Sequence, residues 1–297
     1  MIAEINGIKI AYSDTGPPVV RSTTPAHGEP VEPRAGPTVL LVHGYPLNRS
    51  MWDPQLGALR PVARVIAPDL RGFGASEGGP PGPLTVDQHA DDLAALLDAL
   101  SVSEPVIYCG LSMGGYVGFA FWRRHRRRVR AFVLADTRAT ADPPLGVSSR
   151  EELARQAEDL GGPQPAIDAM KPRLFSPTLR AGSPAERITL AMMAGSSARA
   201  VADGARGLAL RTDSTDMLAS IDVPTLVIVG EHDQLTPPAD SDAMLARLPN
   251  ARLERIDQAG HMANLENPDQ FNEALIEFVR TVAATPAAVS RDGADAR

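Results

Sequence analysis

The constraint that most narrows the fold is a series of short, almost continuously apolar runs. Thr38–Val42, Val62–Ala67, Pro105–Cys109, Val129–Ala135 and Pro224–Val229 recur along the chain, and Arg252–Ile256 continues the series more weakly. Runs of this length without polar alternation suit strands covered on both faces, as in the middle of a parallel sheet. The stretches between them read as helices. Val86, Ala90, Leu93, Leu97 and Leu100 fall on one helical face. Further on, Asn267 is a good N-cap with Pro268 at the first helical position, and Phe271, Leu275 and Phe278 form the stripe behind it. Strands alternating with helices predict an α/β fold with a parallel sheet. Ile2–Ile5 and Ile8–Tyr12, separated by Asn6-Gly7, predict an opening hairpin.

Residues 138–216 break the alternation, with several helical stretches, Pro and Gly breaks and no convincing strand. They are expected to form a helical cap inserted into a core made of 1–137 and 217–282. The Pro-rich segment 16–37 is expected to be a flexible loop, and 283–297 a flexible tail. A chain of 297 residues with 43% hydrophobic residues can bury a large core without cross-links. Its single cysteine, Cys109, cannot form an internal disulfide and is expected to be buried in a strand. No apolar run approaches the roughly 18 residues of a membrane span. Glu4 stands where a secretory signal would be apolar. A cytoplasmic location, away from membranes, is therefore expected. The net charge of -7 does not favour nucleic acid as a partner. The basic run Arg123–Arg130 is read as a solvated helix end, and the six histidines show no metal-binding spacing.

The strongest chemical signal is Gly110-Leu111-Ser112-Met113-Gly114, set between a strand and a helix pattern. A serine in such a tight strand-to-helix turn is exposed at the sheet edge, beside a helix N-terminus. A hydroxyl is a weak nucleophile, so it needs a base, and the base needs an orienting acid. His261 follows the last predicted strand and Asp233 follows the run TLVIV. Both belong at carboxyl ends of strands, where open α/β sheets place their ligands. Asp136, at the end of the preceding strand, is the rival acid and is read as a loop hydrogen-bonding residue. Acyl transfer also needs donors for an oxyanion. The backbone N–H groups of Met113 and of Tyr45, in His43-Gly44-Tyr45-Pro46, are the candidates. His43 is expected to brace that loop rather than move protons.

Together HGYP, DLRGFGAS, GLSMGG, GEHDQLTPP and AGHMANLENP resemble the α/β-hydrolase superfamily, in its serine-nucleophile branch. The start of the chain is similar to cofactor-free bacterial esterases and perhydrolases, and its end to 3-oxoadipate enol-lactonases. The resemblance implies an eight-stranded, mostly parallel sheet with a helical cap before the strand that bears the acid. It also implies hydrolysis of small carboxylic esters or lactones with no cofactor and no metal. Acyl transfer to another acceptor, C–C bond hydrolysis and a receptor role remain alternatives. Ser112 argues against the superfamily's dehalogenases and epoxide hydrolases, which use aspartate there. Oligomeric state is not legible in the sequence.

Overall fold

A computed structural model describes residues 1–18 and 36–285. Most of the Pro-rich segment and nearly all of the C-terminal tail lie outside the described residues. Eight strands form one sheet in the order β1-β2-β4-β3-β5-β6-β7-β8. They are β1 (Ile2–Ile5), β2 (Ile8–Asp14), β3 (Thr38–Val42), β4 (Arg64–Pro68), β5 (Val106–Leu111), β6 (Val129–Ala135), β7 (Thr225–Gly230) and β8 (Ala251–Ile256). The helices are α1 (Asp53–Leu59), α2 (Val86–Ala99), α3 (Met113–His125), α4 (Pro144–Leu160), α5 (Gln164–Leu174), α6 (Pro184–Ala194), α7 (Ala198–Ala209), α8 (Pro238–Leu245), α9 (Ala263–Glu266) and α10 (Pro268–Ala284). The β1–β2 hairpin turns on Asn6 and Gly7, both at positive φ, as a two-residue loop requires. It joins antiparallel to β4, and the pairs from β4 to β8 are all parallel.

β5 and β7 are buried along their whole length, which is why their sequences carry no polar face. The chain steps outward from β3 to β4, then returns past β3 to β5. Right-handed crossovers in opposite directions put α1 on one face of the sheet and α2 and α3 on the other. α10 packs on α1, and α2 packs on α3. The reversal leaves a crevice at the carboxyl ends of β3 and β5, where ligands of open α/β sheets bind.

Residues 138–216 hold α4 to α7, with α4 packed on α7. The basic run forms the last turn of α3 and continues into the first residues of β6. Arg123 pairs with Asp87, and Arg124 and His125 with Asp91, across to α2. Exposed pairs of this kind hold a helix in place for little energy. Cys109 is fully buried in β5, and burial pushes its thiol far up.

Candidate active site

Ser112 is the single residue between β5 and α3, at φ 55 and ψ -114. A non-glycine residue at positive φ is strained, and it persists only where its surroundings fix it. Here they do so at both ends of its peptide. The Ser112 N–H donates to Ala135 O at 3.0 Å, and its carbonyl accepts from Gly115 N at 2.9 Å. The Thr137 hydroxyl donates to the same carbonyl at 2.8 Å. The flanking glycines are steric requirements: a Cβ on Gly110 would overlap the Gly114 carbonyl, and one on Gly114 would overlap the Val42 carbonyl. The turn thus leaves the half-buried Ser112 side chain at the mouth of the crevice.

The loop after β3 lies against this turn, since a Cβ on Gly44 would sit 3.4 Å from Ser112 Cβ. His43 is fully buried and braces the loop. Leu70 N donates to its Nε2 at 2.9 Å, so its Nδ1 carries the hydrogen and donates to Gly44 O at 2.8 Å. Burial lowers its pKa and keeps the ring neutral. The Tyr45 phenol donates to Val201 O of α7 at 2.8 Å, tying this loop to the inserted helices. Among the described residues, the N–H groups of Tyr45 and Met113 have no acceptor.

Asp233 follows β7 and is almost wholly buried. Its Oδ1 accepts from Leu235 N and Thr236 N, and its Oδ2 from the Thr236 hydroxyl at 2.7 Å. His261 follows β8, and its Nδ1 donates to Asp233 Oδ2 at 2.8 Å. That bond fixes the tautomer with the free lone pair on Nε2. Burial works against the Asp233 charge, but the adjacent His261 and the bonds from His261 and Thr236 outweigh it and hold the carboxyl below its ordinary value. The His261 N–H donates to Leu174 O at the end of α5. The Glu266 carboxylate accepts from Ser176 N at 2.8 Å and Gly260 N at 3.0 Å, clamping the histidine loop to the segment after α5.

Asp136, the rival acid, sits beside this pair and is also completely buried. Its Oδ1 accepts from Gly230 N at 2.8 Å, while Oδ2 has no partner among the described residues. Burial and the neighbouring Asp233 carboxylate push its pKa well above the ordinary value. Thr137, Thr236 and Glu266 were not singled out in the sequence. Thr236 could have been, since it stands three residues after Asp233, where the N–H that an Asp side chain caps is found. Among the described residues, no group of three or more His, Cys, Asp or Glu side chains could hold a metal ion.

The model of the alpha/beta hydrolase family matches residues 39–274, and the chain belongs to that family. It is an enzyme of the esterase- and lactonase-like type. Among sequence relatives it is similar to 3-oxoadipate enol-lactonase 2 of Acinetobacter baylyi, with 31% identity over 80% of this chain and 87% of the relative. Among solved structures it resembles a thermophilic esterase from Thermogutta terrifontis with malate bound. The TM-score is 0.85 at 37% identity, covering 95% of this chain and 97% of the other. The enol-lactonase from Burkholderia xenovorans superposes with a TM-score of 0.77 at 29% identity, covering 94% of this chain and all of the other. No described helix is long and apolar enough to cross a membrane.

Proposed function

We propose that the chain hydrolyses small carboxylic esters or lactones through Ser112, His261 and Asp233. The observation that carries this reading is the buried 2.8 Å bond from His261 Nδ1 to Asp233 Oδ2. It leaves Nε2 as a base on the same sheet edge as the strained Ser112. His261 takes the Ser112 proton as Oγ bonds to the acyl carbon, and the carbonyl oxygen becomes an oxyanion. The free N–H groups of Tyr45 and Met113 hold that charge. As the intermediate collapses, the C–O bond to the leaving group breaks and His261 returns the proton to the departing oxygen. Water then gives a proton to His261 as its oxygen bonds to the acyl carbon. When this intermediate collapses the acyl–Oγ bond breaks, His261 returns the proton to Ser112 Oγ, and the acid is released. Asp233 keeps the imidazole oriented and stabilises its charged form. α4 to α7 act as a cap over a core formed by 1–137 and 217–282, and shape the acyl pocket. A cytoplasmic location fits the single cysteine.

The test is hydrolysis of p-nitrophenyl butyrate by wild type and Ser112→Ala. The expected loss in kcat is on the order of a thousandfold or more, as when a triad nucleophile is removed. Turnover near the wild-type rate in the variant would refute the assignment.

A further inference from the structure

His261 is gripped by its backbone as well as by its ring. Its N–H donates to Leu174 O at 2.9 Å, at the end of α5. On either side of it, the N–H groups of Gly260 and Met262 donate to Glu266 Oε1, at 3.0 Å and 3.3 Å. Glu266 Oε2 accepts from Ser176 N at 2.8 Å. The two oxygens of one carboxylate therefore serve two segments, one the histidine loop and the other the stretch at the end of α5. The two backbones also touch. A Cβ on Gly260 would fall 2.5 Å from Ser176 N and 2.6 Å from Phe175 C. The opposite side of the loop is closed by the end of β7, since a Cβ on Gly230 would overlap Gly260 O. The histidine loop is thus held between the strand that leads to Asp233 and the segment 174–176.

Glu266 is half-buried, and among the described residues its carboxylate bonds only to backbone N–H groups. A carboxylate taken from water without a cation is costly. An amide side chain would cap one segment at lower cost, but it has a single acceptor oxygen. A carboxylate accepts at both ends, which is what joining two sets of N–H groups requires. The gain lies in the base between them. It must stay within hydrogen-bond reach of the proton it takes, and a misplacement of about 1 Å can cost roughly a hundredfold in rate.

We propose that Glu266 is a positioning residue: it places His261 by locking the histidine loop to segment 174–176, so the base is set only while that segment is seated. This rests on the reading of Ser112, His261 and Asp233 as the reacting groups, and adds a side chain that acts through His261.

The test uses Glu266→Gln, which keeps one acceptor oxygen, and Glu266→Leu, which keeps none. His261 serves both acylation and deacylation, so its misplacement lowers kcat and kcat/KM together. On p-nitrophenyl butyrate, kcat is expected to fall about 10- to 100-fold in Glu266→Leu and less in Glu266→Gln, with KM unchanged. A role confined to shaping the pocket would raise KM and spare kcat. Two further readouts need no turnover. The His261 Nδ1–H proton, seen by NMR and identified by its loss in His261→Gln, should shift or broaden in both variants. Amide hydrogen exchange at Gly260 and Ser176 should rise together in Glu266→Leu. If the leucine variant does not fold, Glu266→Gln carries the kcat and NMR tests alone. Wild-type kcat in the folded variants, a loss carried by KM, an unmoved Nδ1–H resonance, or exchange that rises at Gly260 alone overturns the proposal. Turnover that survives Ser112→Ala strikes the parent reading instead, so the two failures can be told apart.

Discussion

His89 gives a quantitative test of the packing beneath the site. It lies in α2 with its side chain fully buried, and neither ring nitrogen has a partner among the described residues. Its ring is 6.3 Å from that of Phe73, which also packs edge-on to His43 at 5.6 Å. Burial, helped by the nearby His43 and Arg71, pushes its pKa down to about 3. In the unfolded chain a histidine titrates near 6.5. Between those values the unfolded state holds a proton that the folded state refuses, so stability falls as pH falls through the window. From pH 7 to pH 5 the linkage relation gives a loss of about 2 kcal/mol from this one residue. His89→Leu removes the titration and the unpartnered polar atoms at similar volume. Urea unfolding followed by the fluorescence of Trp52 and Trp122, at both pH values, should show the variant losing about 2 kcal/mol less than wild type over the interval. The other acid-sensitive groups are common to both proteins and cancel in the difference. Parallel losses in wild type and variant would refute the claim that His89 is held neutral.

Asp136 has the opposite sign. Its carboxyl is raised by burial and by Asp233, so above about pH 4 the unfolded chain has shed a proton that the folded chain keeps, and stability falls as pH rises. Asp136→Asn keeps an acceptor for Gly230 N without the titration. Its stability relative to wild type should therefore increase between pH 4.5 and pH 7 in urea unfolding, and a constant difference would count against a protonated Asp136. Asp136→Leu strands the Gly230 N–H and should cost about 1–3 kcal/mol relative to the asparagine variant. Gly114→Ala drives a methyl into the Val42 carbonyl and should destabilise by about 1–3 kcal/mol, with loss of ester hydrolysis. A wild-type melting temperature and rate in that variant would show that the elbow tolerates a Cβ.

The sheet was legible where its cause is local. β6 spans the apolar run Val129–Ala135, because that strand is covered on both sides. The ends differ where hydrogen bonding, not hydrophobicity, decides them. β5 continues to Leu111, past the run ending at Cys109, since Gly110 and Leu111 pair with Leu134 and Ala135. β4 starts at Arg64 rather than Val62, because the Val62 and Ala63 N–H groups still bond to Leu59 O at the end of α1. β2 runs on to Asp14 because Tyr12–Asp14 pair with Ile66–Pro68, a partner far along the chain. The elbow at Ser112 and the positions of Asp233 and His261 were legible for the same local reason, each being fixed by the strand before it. Thr137 and Glu266 were not, because they act on groups remote in sequence. Glu266 carries no mark beyond its charge until folding brings Ser176 N to it from 90 residues away.

The same division explains how two buried carboxyls beside one histidine take different charge states. Asp136 and Asp233 end adjacent strands, and burial alone would protonate both. Asp233 receives two backbone N–H groups, the Thr236 hydroxyl and the imidazole, so four donors favour its charged form. Asp136 receives one N–H, from Gly230, and sits next to an anion. Asp136 is therefore the more readily protonated of the two, and Asp233 is the acceptor for His261. Residue type cannot separate the two, and strand order only places them side by side. The donor count separates them, and it is set by Leu235 and Thr236 in the turn after β7. In this fold the charge state of each carboxyl follows from the loop that solvates it.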